Sequence, residues 1–167
     1  MAKTDGSIGA RMMGAAALDI DTYEEVEHDE NATMQAATVV VLVALCQAAG
    51  AWDLGLFSAA RLAVVELVTW FTWAGVTYVI GEKIFQGEAT WGELLRTLGF
   101  AKAPGVLYVF GIVPLLGWGV SAVVGVWMLV TAFVAIRQAL DIGNGKTFLT
   151  VLVGGGVYNV LQFFLPI

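Results

Sequence analysis

The stretch from Phe57 to Ile80 reads FSAARLAVVELVTWFTWAGVTYVI. A helix of ~20 apolar residues, rising ~1.5 Å per residue, crosses a hydrocarbon core of ~30 Å. This stretch meets that length but carries Arg61 and Glu66. A charge near the bilayer centre costs on the order of 2.5–3.5 kcal/mol. A membrane helix with these two residues has to hide them against partners, so the segment requires other helices around it. Arg61 falls about 6 Å from the helix start and can snorkel outward, for example to Asp53. Glu66 falls about 14 Å in, beyond the reach of snorkelling. Asn159 and Gln162, on the last apolar segment, lie at comparable depth and offer amide partners to either charge.

Composition agrees with a membrane protein. The chain of 167 residues is 59% apolar and 13% charged, against roughly 45–50% and 25% in soluble domains. A net charge of −6 argues against a nucleic-acid partner. The single cysteine, Cys46, has no intramolecular disulfide partner. The first thirty residues lack the apolar core of a signal peptide.

Five apolar segments follow one another, predicted as helices over 33–49, 57–80, 98–116, 120–141 and 148–166. Residues 1–30 form an acidic N-terminal segment before this 31–167 membrane domain. Within it, Ile8–Leu18 fits a weak interfacial helix or a frayed tail. Asp19–Glu30 holds seven acids and the only histidine. Thr22 and Glu25 have capping-box spacing, which predicts a short exposed helix from Tyr23 to His28. Asn31 is placed to cap the first membrane helix. Ala89–Leu98, with Thr90 and Glu93 as a second capping box and Trp91 as anchor, reads as an interfacial helix before the third span or as the start of that span. Gly117, Ser121 and Gly125 recur every four residues, and Gly154, Gly155 and Gly156 make a flat spot; both patterns permit close helix packing.

Seven of the eight basic residues fall on one side of this five-span arrangement, counting Lys102 in the second connecting loop. By the positive-inside rule the N-terminus is cytoplasmic and the C-terminus outside.

Little in the chain suggests chemistry. Glu25 and His28 form the E-x-x-H spacing that ligates iron in some bundles, but there is no second histidine, and a solvated acidic face explains them better. Gly145-Lys146-Thr147 ends like a phosphate-binding loop, yet Leu140 stands where that loop needs glycine. No nucleophile–base pair or carboxylate pair is evident, and no enzyme, cofactor or metal is expected. For Glu66 three readings remain. It is a polar staple between helices, a proton or ion site, or part of a face that binds another membrane protein or lipid. The staple is preferred.

Three stretches resemble one family. They are Asp21-Thr-Tyr-Glu-Glu25 with Asn31-Ala-Thr, Leu95-Arg-Thr-Leu-Gly-Phe-Ala-Lys-Ala-Pro104, and Trp127 with Ala135-Ile-Arg-Gln-Ala-Leu140. In this order and spacing they are similar to the Yip-domain family, named for proteins that interact with Ypt/Rab GTPases, in a prokaryotic form. The resemblance implies an all-α bundle of five transmembrane helices with a cytoplasmic N-terminus. It also implies a non-enzymatic protein that organises or binds other membrane proteins or lipids, as an accessory subunit of a larger complex, a trafficking-like factor or a homo-oligomer. It offers no catalytic residues to carry over. The sequence lacks the long cytoplasmic N-terminal region and the Asp-Leu-(Tyr/Trp)-Gly-Pro element of the eukaryotic members. The compact Ala-, Val- and Gly-rich composition points to the cytoplasmic membrane of a prokaryote, where Rab partners are absent. The alternative is a small permease or ion/proton channel using Glu66.

Overall fold

A computed structural model describes residues 6–52, 55–113 and 115–164, apart from the side chains of 158, 161 and 162. Every regular element among them is helical. Two short helices, α1 (Ile8–Ala16) and α2 (Ile20–His28), precede α3 (Ala32–Gly50). Helix α4 (Leu56–Tyr78) runs on as a π-helical segment, Val79–Ile84. Helix α5 (Trp91–Ala101) gives way to a 3₁₀ segment, Ala103–Ile112, and α6 (Gly117–Leu140) and α7 (Asn144–Phe164) complete the bundle. Among the described residues three helices are long and apolar enough to cross a membrane: Ala32–Gly50, Leu56–Ile84 and Gly117–Leu140.

The exterior also requires a bilayer. Val64, Val68 and Phe71 on α4, Val123, Val126 and Val130 on α6, and Leu149, Leu152 and Val153 on α7 are all exposed. Monomers in water rarely leave a contiguous apolar surface of that extent uncovered, so these faces meet lipid. The chain is an integral membrane protein.

The third apolar segment differs most from expectation. The helix expected at Trp91 is present. It runs through Leu98, where a new span was predicted to begin, and ends at Ala101. Its predicted start is intact: Thr90 and Glu93 form a complete capping box at 3.3 and 2.7 Å. Pro104, without an N–H and with its ring against the preceding turn, cannot continue the α ladder. The chain tightens into ten residues of 3₁₀ helix, well beyond the usual three or four.

Close backbone packing holds that unusual segment in place. A Cβ on Gly50 would lie 1.9 Å from the Tyr108 carbonyl oxygen, and one on Gly111 would lie 2.9 Å from the Gly50 carbonyl oxygen. Gly105 abuts Val43, where a Cβ would approach to 2.5 Å. The first two contacts press backbone on backbone, without side chains between.

The N-terminal helices also depart from expectation. Helix α2 starts at Ile20, three residues before the predicted Tyr23, so Thr22 is no cap; its hydroxyl donates to Asp19 Oδ2 at 2.7 Å. Asn31 stands at the cap position of α3 but makes no side-chain cap bond; its amides turn back to Asp29 Oδ1. Nor is α2 an exposed acidic helix. Thr22, Tyr23 and Val26 are fully buried against the bundle, while Asp21, Glu24 and Glu30 stay exposed. The acids hid a short apolar stripe, Tyr23 and Val26 three residues apart with Ala15 of α1 beneath them, that packs on α5 and α6. The fifth apolar helix begins at Asn144, not Phe148, and takes in Gly145-Lys146-Thr147 as its first turn. Lys146 Nζ donates to the Phe85 carbonyl at 3.0 Å. The predicted end near Pro166 lies outside the described residues.

Because Gly50 faces a backbone carbonyl that cannot rotate away, Gly50→Ala should destabilise the protein by about 1–3 kcal/mol, the usual cost of overpacking. Gly119→Ala, at a position with open space around the added methyl, should be neutral or slightly stabilising. Thermal unfolding of the two variants in detergent checks this.

Candidate functional site

The site forms where α4 meets the end of α5. Helix α4 turns Glu66, Thr69, Trp70 and Trp73 inward, at the spacing of one helical face, and all four are buried. Trp70 Nε1 donates to the Leu95 carbonyl at 3.1 Å, which fixes α4 against α5. The last turn of α5 then delivers Lys102. Its ammonium donates to Glu66 Oε2, and the two side chains are 3% and 2% exposed.

Several features make this a favourable place for a lysine. Lys102 is the C-cap of α5, where the negative end of the helix dipole favours a cation. The Pro104 break leaves carbonyls at that end without helical partners, and Thr131 Oγ1 on α6 donates to one of them, Ala101 O, at 2.6 Å. Moving one ion from water to a dry interior costs several kcal/mol, so each charge is tenable only with the other present. The pair holds α4 to α5, and Thr131 holds the same junction to α6.

Arg61 is exposed near the start of α4, and its proposed partner Asp53 lies outside the described residues. Asn159 is also exposed, and its amide donates to the Gly155 carbonyl of its own helix at 2.7 Å. The side chain of Gln162 lies outside the described residues. Neither amide is brought to Glu66 by a described contact; the ion partner is Lys102. A visible clue was a single lysine in an apolar run, Leu98-Gly-Phe-Ala-Lys-Ala, opposite in sign to Glu66. Assigning it to a loop concealed it.

The small residues are spread over several surroundings. Gly154 lies against the Trp73 indole, where a Cβ would be 2.3 Å from Nε1. Gly117 lies near the Gly111 backbone at ordinary contact distance. Gly125, Gly155 and Gly156 look into open space, and Ser121 is exposed.

A second polar cluster ties the N-terminal helices to the bundle. Arg11, 4% exposed, bonds Glu25 Oε1 at 2.8 Å, Asp29 Oδ2 at 2.7 Å and Gln35 Oε1 at 3.0 Å. Arg96 on α5 donates to the carbonyls of Val26 and Glu27 at the C-terminal end of α2. Tyr23 donates to Ala15 O at 3.0 Å and Thr131 O at 3.3 Å, and Trp127 Nε1 to Ala16 O at 2.8 Å. Burial pushes the Tyr23 phenol well above its ordinary range. Glu25 therefore serves Arg11. His28 instead meets its own helix, with Nδ1 at 2.8 Å from Glu24 O. Among the described residues no group of three or more His, Cys, Asp or Glu side chains is placed to hold a metal.

Glu27 titrates unusually. Burial, with His28 opposing and Glu93, Asp141 and Glu24 assisting, raises its carboxyl from 4.5 to about 7. The folded state then binds a proton that the unfolded state has lost. The contribution of Glu27 to the docking of α2 is thus fully present below pH ~4.5 and is lost as pH rises through ~7.

A model of the family described as the Yip1 domain matches residues 20–164. No curated protein and no solved structure matches the chain.

Two predictions follow from this geometry. Glu66→Gln or Lys102→Met alone should cost about 3–5 kcal/mol of unfolding stability, whereas Glu66→Leu with Lys102→Met should recover most of it, since an apolar replacement of a buried pair is close to neutral. Thermal unfolding of the three variants in detergent measures the difference. Hydrogen exchange of the α2 amides should accelerate between pH 5 and pH 8 beyond the intrinsic base-catalysed rise, and Glu27→Gln should abolish that excess.

Proposed function

The chain belongs to the Yip1-domain family, and from that premise we propose that it is a non-enzymatic membrane protein that organises or binds other membrane proteins or lipids. In this reading it works as an accessory subunit of a larger complex or as a trafficking-like factor, in the cytoplasmic membrane of a prokaryote. The supporting observation is where the polar chemistry goes. Glu66 and Lys102 engage each other, Arg11 engages Glu25 and Asp29, and Arg96 engages backbone carbonyls. What the bundle offers its surroundings is apolar: the outward faces of α4, α6 and α7. A surface of that kind binds by shape and packing in the membrane plane.

The membrane arrangement that fits is five spans: α3, α4, α5 with its 3₁₀ continuation, α6 and α7. Residues 1–30 would cap the 31–167 domain at one end. Arg11, Lys83, Arg96, Arg137 and Lys146 gather at that end and Arg61 at the other, which favours a cytoplasmic N-terminus. With Lys102 buried in the bundle, the charge bias narrows but keeps its direction.

A photoreactive amino acid in place of Val130 or Leu152, on the outward faces of α6 and α7, tests the reading in native membranes. The expected result is one discrete crosslinked species, the same partner or a second copy of this chain from both positions. Uncrosslinked monomer, or a scatter of abundant membrane proteins, would count against it.

A further inference from the structure

The α1–α2 hairpin reaches far along one flank of the bundle. The Ala16 carbonyl, at the end of α1, accepts from Trp127 Nε1, and Glu24 Oε1 on α2 accepts from Gln138 Nε2 at 3.0 Å. Along α6 these two anchors stand about 16 Å apart, at ~1.5 Å per residue. The hairpin therefore runs from the last turn of α6, which ends at Leu140, to near its midpoint. It packs on α5, α6 and the 3₁₀ segment, whereas α7 packs on α4 and α6. The hairpin and α7 thus occupy different flanks.

At one height the two flanks present opposite surfaces. On the hairpin Asp19, Asp21, Glu24 and Glu30 are exposed, and Arg11 is buried and already engaged. Acyl chains cannot cover such a row of carboxylates, so water and headgroups stand against α2. On the other flank the same height is apolar. Gly81 abuts Leu140, two residues past Gln138, which puts Val79 of the π segment level with Glu24. Leu149 falls between Lys146, which reaches the Phe85 carbonyl, and Gly154, which lies against Trp73. It shares that level, and both Val79 and Leu149 are exposed. The hairpin tip adds Met13, Leu18 and Ile20, exposed apolar residues beside Asp19 and Asp21, the mixture that seats at a lipid–water boundary. At the far end of the bundle both flanks stay apolar, with Phe57 on α4 and Phe110 on the 3₁₀ segment exposed.

We propose that the protein thins the membrane on one flank: the leaflet at the N-terminal end is drawn down beside α1 and α2 towards the hairpin tip and keeps its ordinary depth against α4 and α7. A bilayer meets a short hydrophobic face by thinning locally. Here the short face lies on one side only, and its deficit approaches the ~15 Å of a single leaflet. What fills the step is lipid headgroups and water, and the molecule fits a thin bilayer at least cost. The inference does not depend on whether the outward faces of α6 and α7 bind a partner.

Spin-label EPR on protein reconstituted in dioleoylphosphatidylcholine vesicles tests it. In a Cys46→Ser background a nitroxide is attached singly to Asp21→Cys, Glu24→Cys, Val79→Cys, Leu149→Cys and Phe57→Cys, all exposed positions. Collision with oxygen, which concentrates in hydrocarbon, is compared with collision with a water-soluble nickel chelate, as the logarithm of their ratio. Asp21→Cys and Glu24→Cys should give negative values, and Val79→Cys, Leu149→Cys and Phe57→Cys positive ones. Positive values at the two hairpin positions place the hairpin in hydrocarbon and overturn the proposal. Negative values at Val79→Cys and Leu149→Cys mean that this whole end of the bundle stands in water behind a flat boundary, which overturns it as well. A negative value at Phe57→Cys with the rest as expected means that the bundle tilts and the leaflet is not thinned. Should Glu24→Cys, which loses its bond to Gln138, displace α2, Asp21→Cys decides for the hairpin.

Discussion

Two opposite charges placed in a low-dielectric interior constrain everything near them. Glu66 needs Lys102, and Lys102 has to come from a different helix, so α5 must end where α4 carries its carboxylate. Pro104 ends the helix at that point, and the freed Ala101 carbonyl recruits Thr131 from α6. One ion pair, one helix break and one hydroxyl thus connect three helices. Beyond the break, the 3₁₀ segment fits against α3 only because Gly50, Gly105 and Gly111 leave room for backbone and Val43 to approach. At the break itself, Ala103, Pro104 and Gly105 are buried against protein, the condition under which a membrane interior tolerates irregular backbone.

The N-terminal helices solve a similar problem at one end of the bundle. Helix α5 begins near the surface and would present its buried face, Leu94, Leu95 and Leu98, to whatever lies beyond. Helices α1 and α2 cover that face with Ala15, Tyr23 and Val26 and anchor themselves through Arg11 and Arg96. Both arginines are engaged by acids or by carbonyls at a helix C-terminus, so each is buried at limited cost. The acidic composition of this segment serves an internal contact as well as a solvated surface.

The sequence carries its long periodic elements openly. The apolar runs at α3, α4 and α6 exceed what a soluble core helix requires, and the Thr90–Glu93 cap announces the start of α5. The family resemblance was visible in short motifs whose residues lie at structural junctions: Tyr23 at the N-terminal clasp, Arg96 and Lys102 on α5, Trp127 against α1. Less legible was anything that depends on two segments meeting. Lys102 looked like a loop charge because it stands two residues before Pro104, where a basic residue reads as flanking an apolar segment even though it falls inside the predicted 98–116 helix. Burial of α2 was masked by seven acids around a two-residue apolar stripe. The tight contact at Gly50 had no local signature, since a lone glycine after an Ala-rich helix reads equally well as a stop signal.

The central claim is that Glu66 and Lys102 meet inside the membrane. Solid-state NMR on lipid-reconstituted protein, with ¹⁵Nζ-lysine and ¹³Cδ-glutamate labels, measures it through the dipolar coupling between the two groups. The Lys83–Glu82 contact, 2.7 Å apart on the π segment, serves as an internal reference. The structure predicts a second direct coupling that disappears in Lys102→Met while the reference remains. A spectrum in which Lys102→Met removes no coupling would contradict the account.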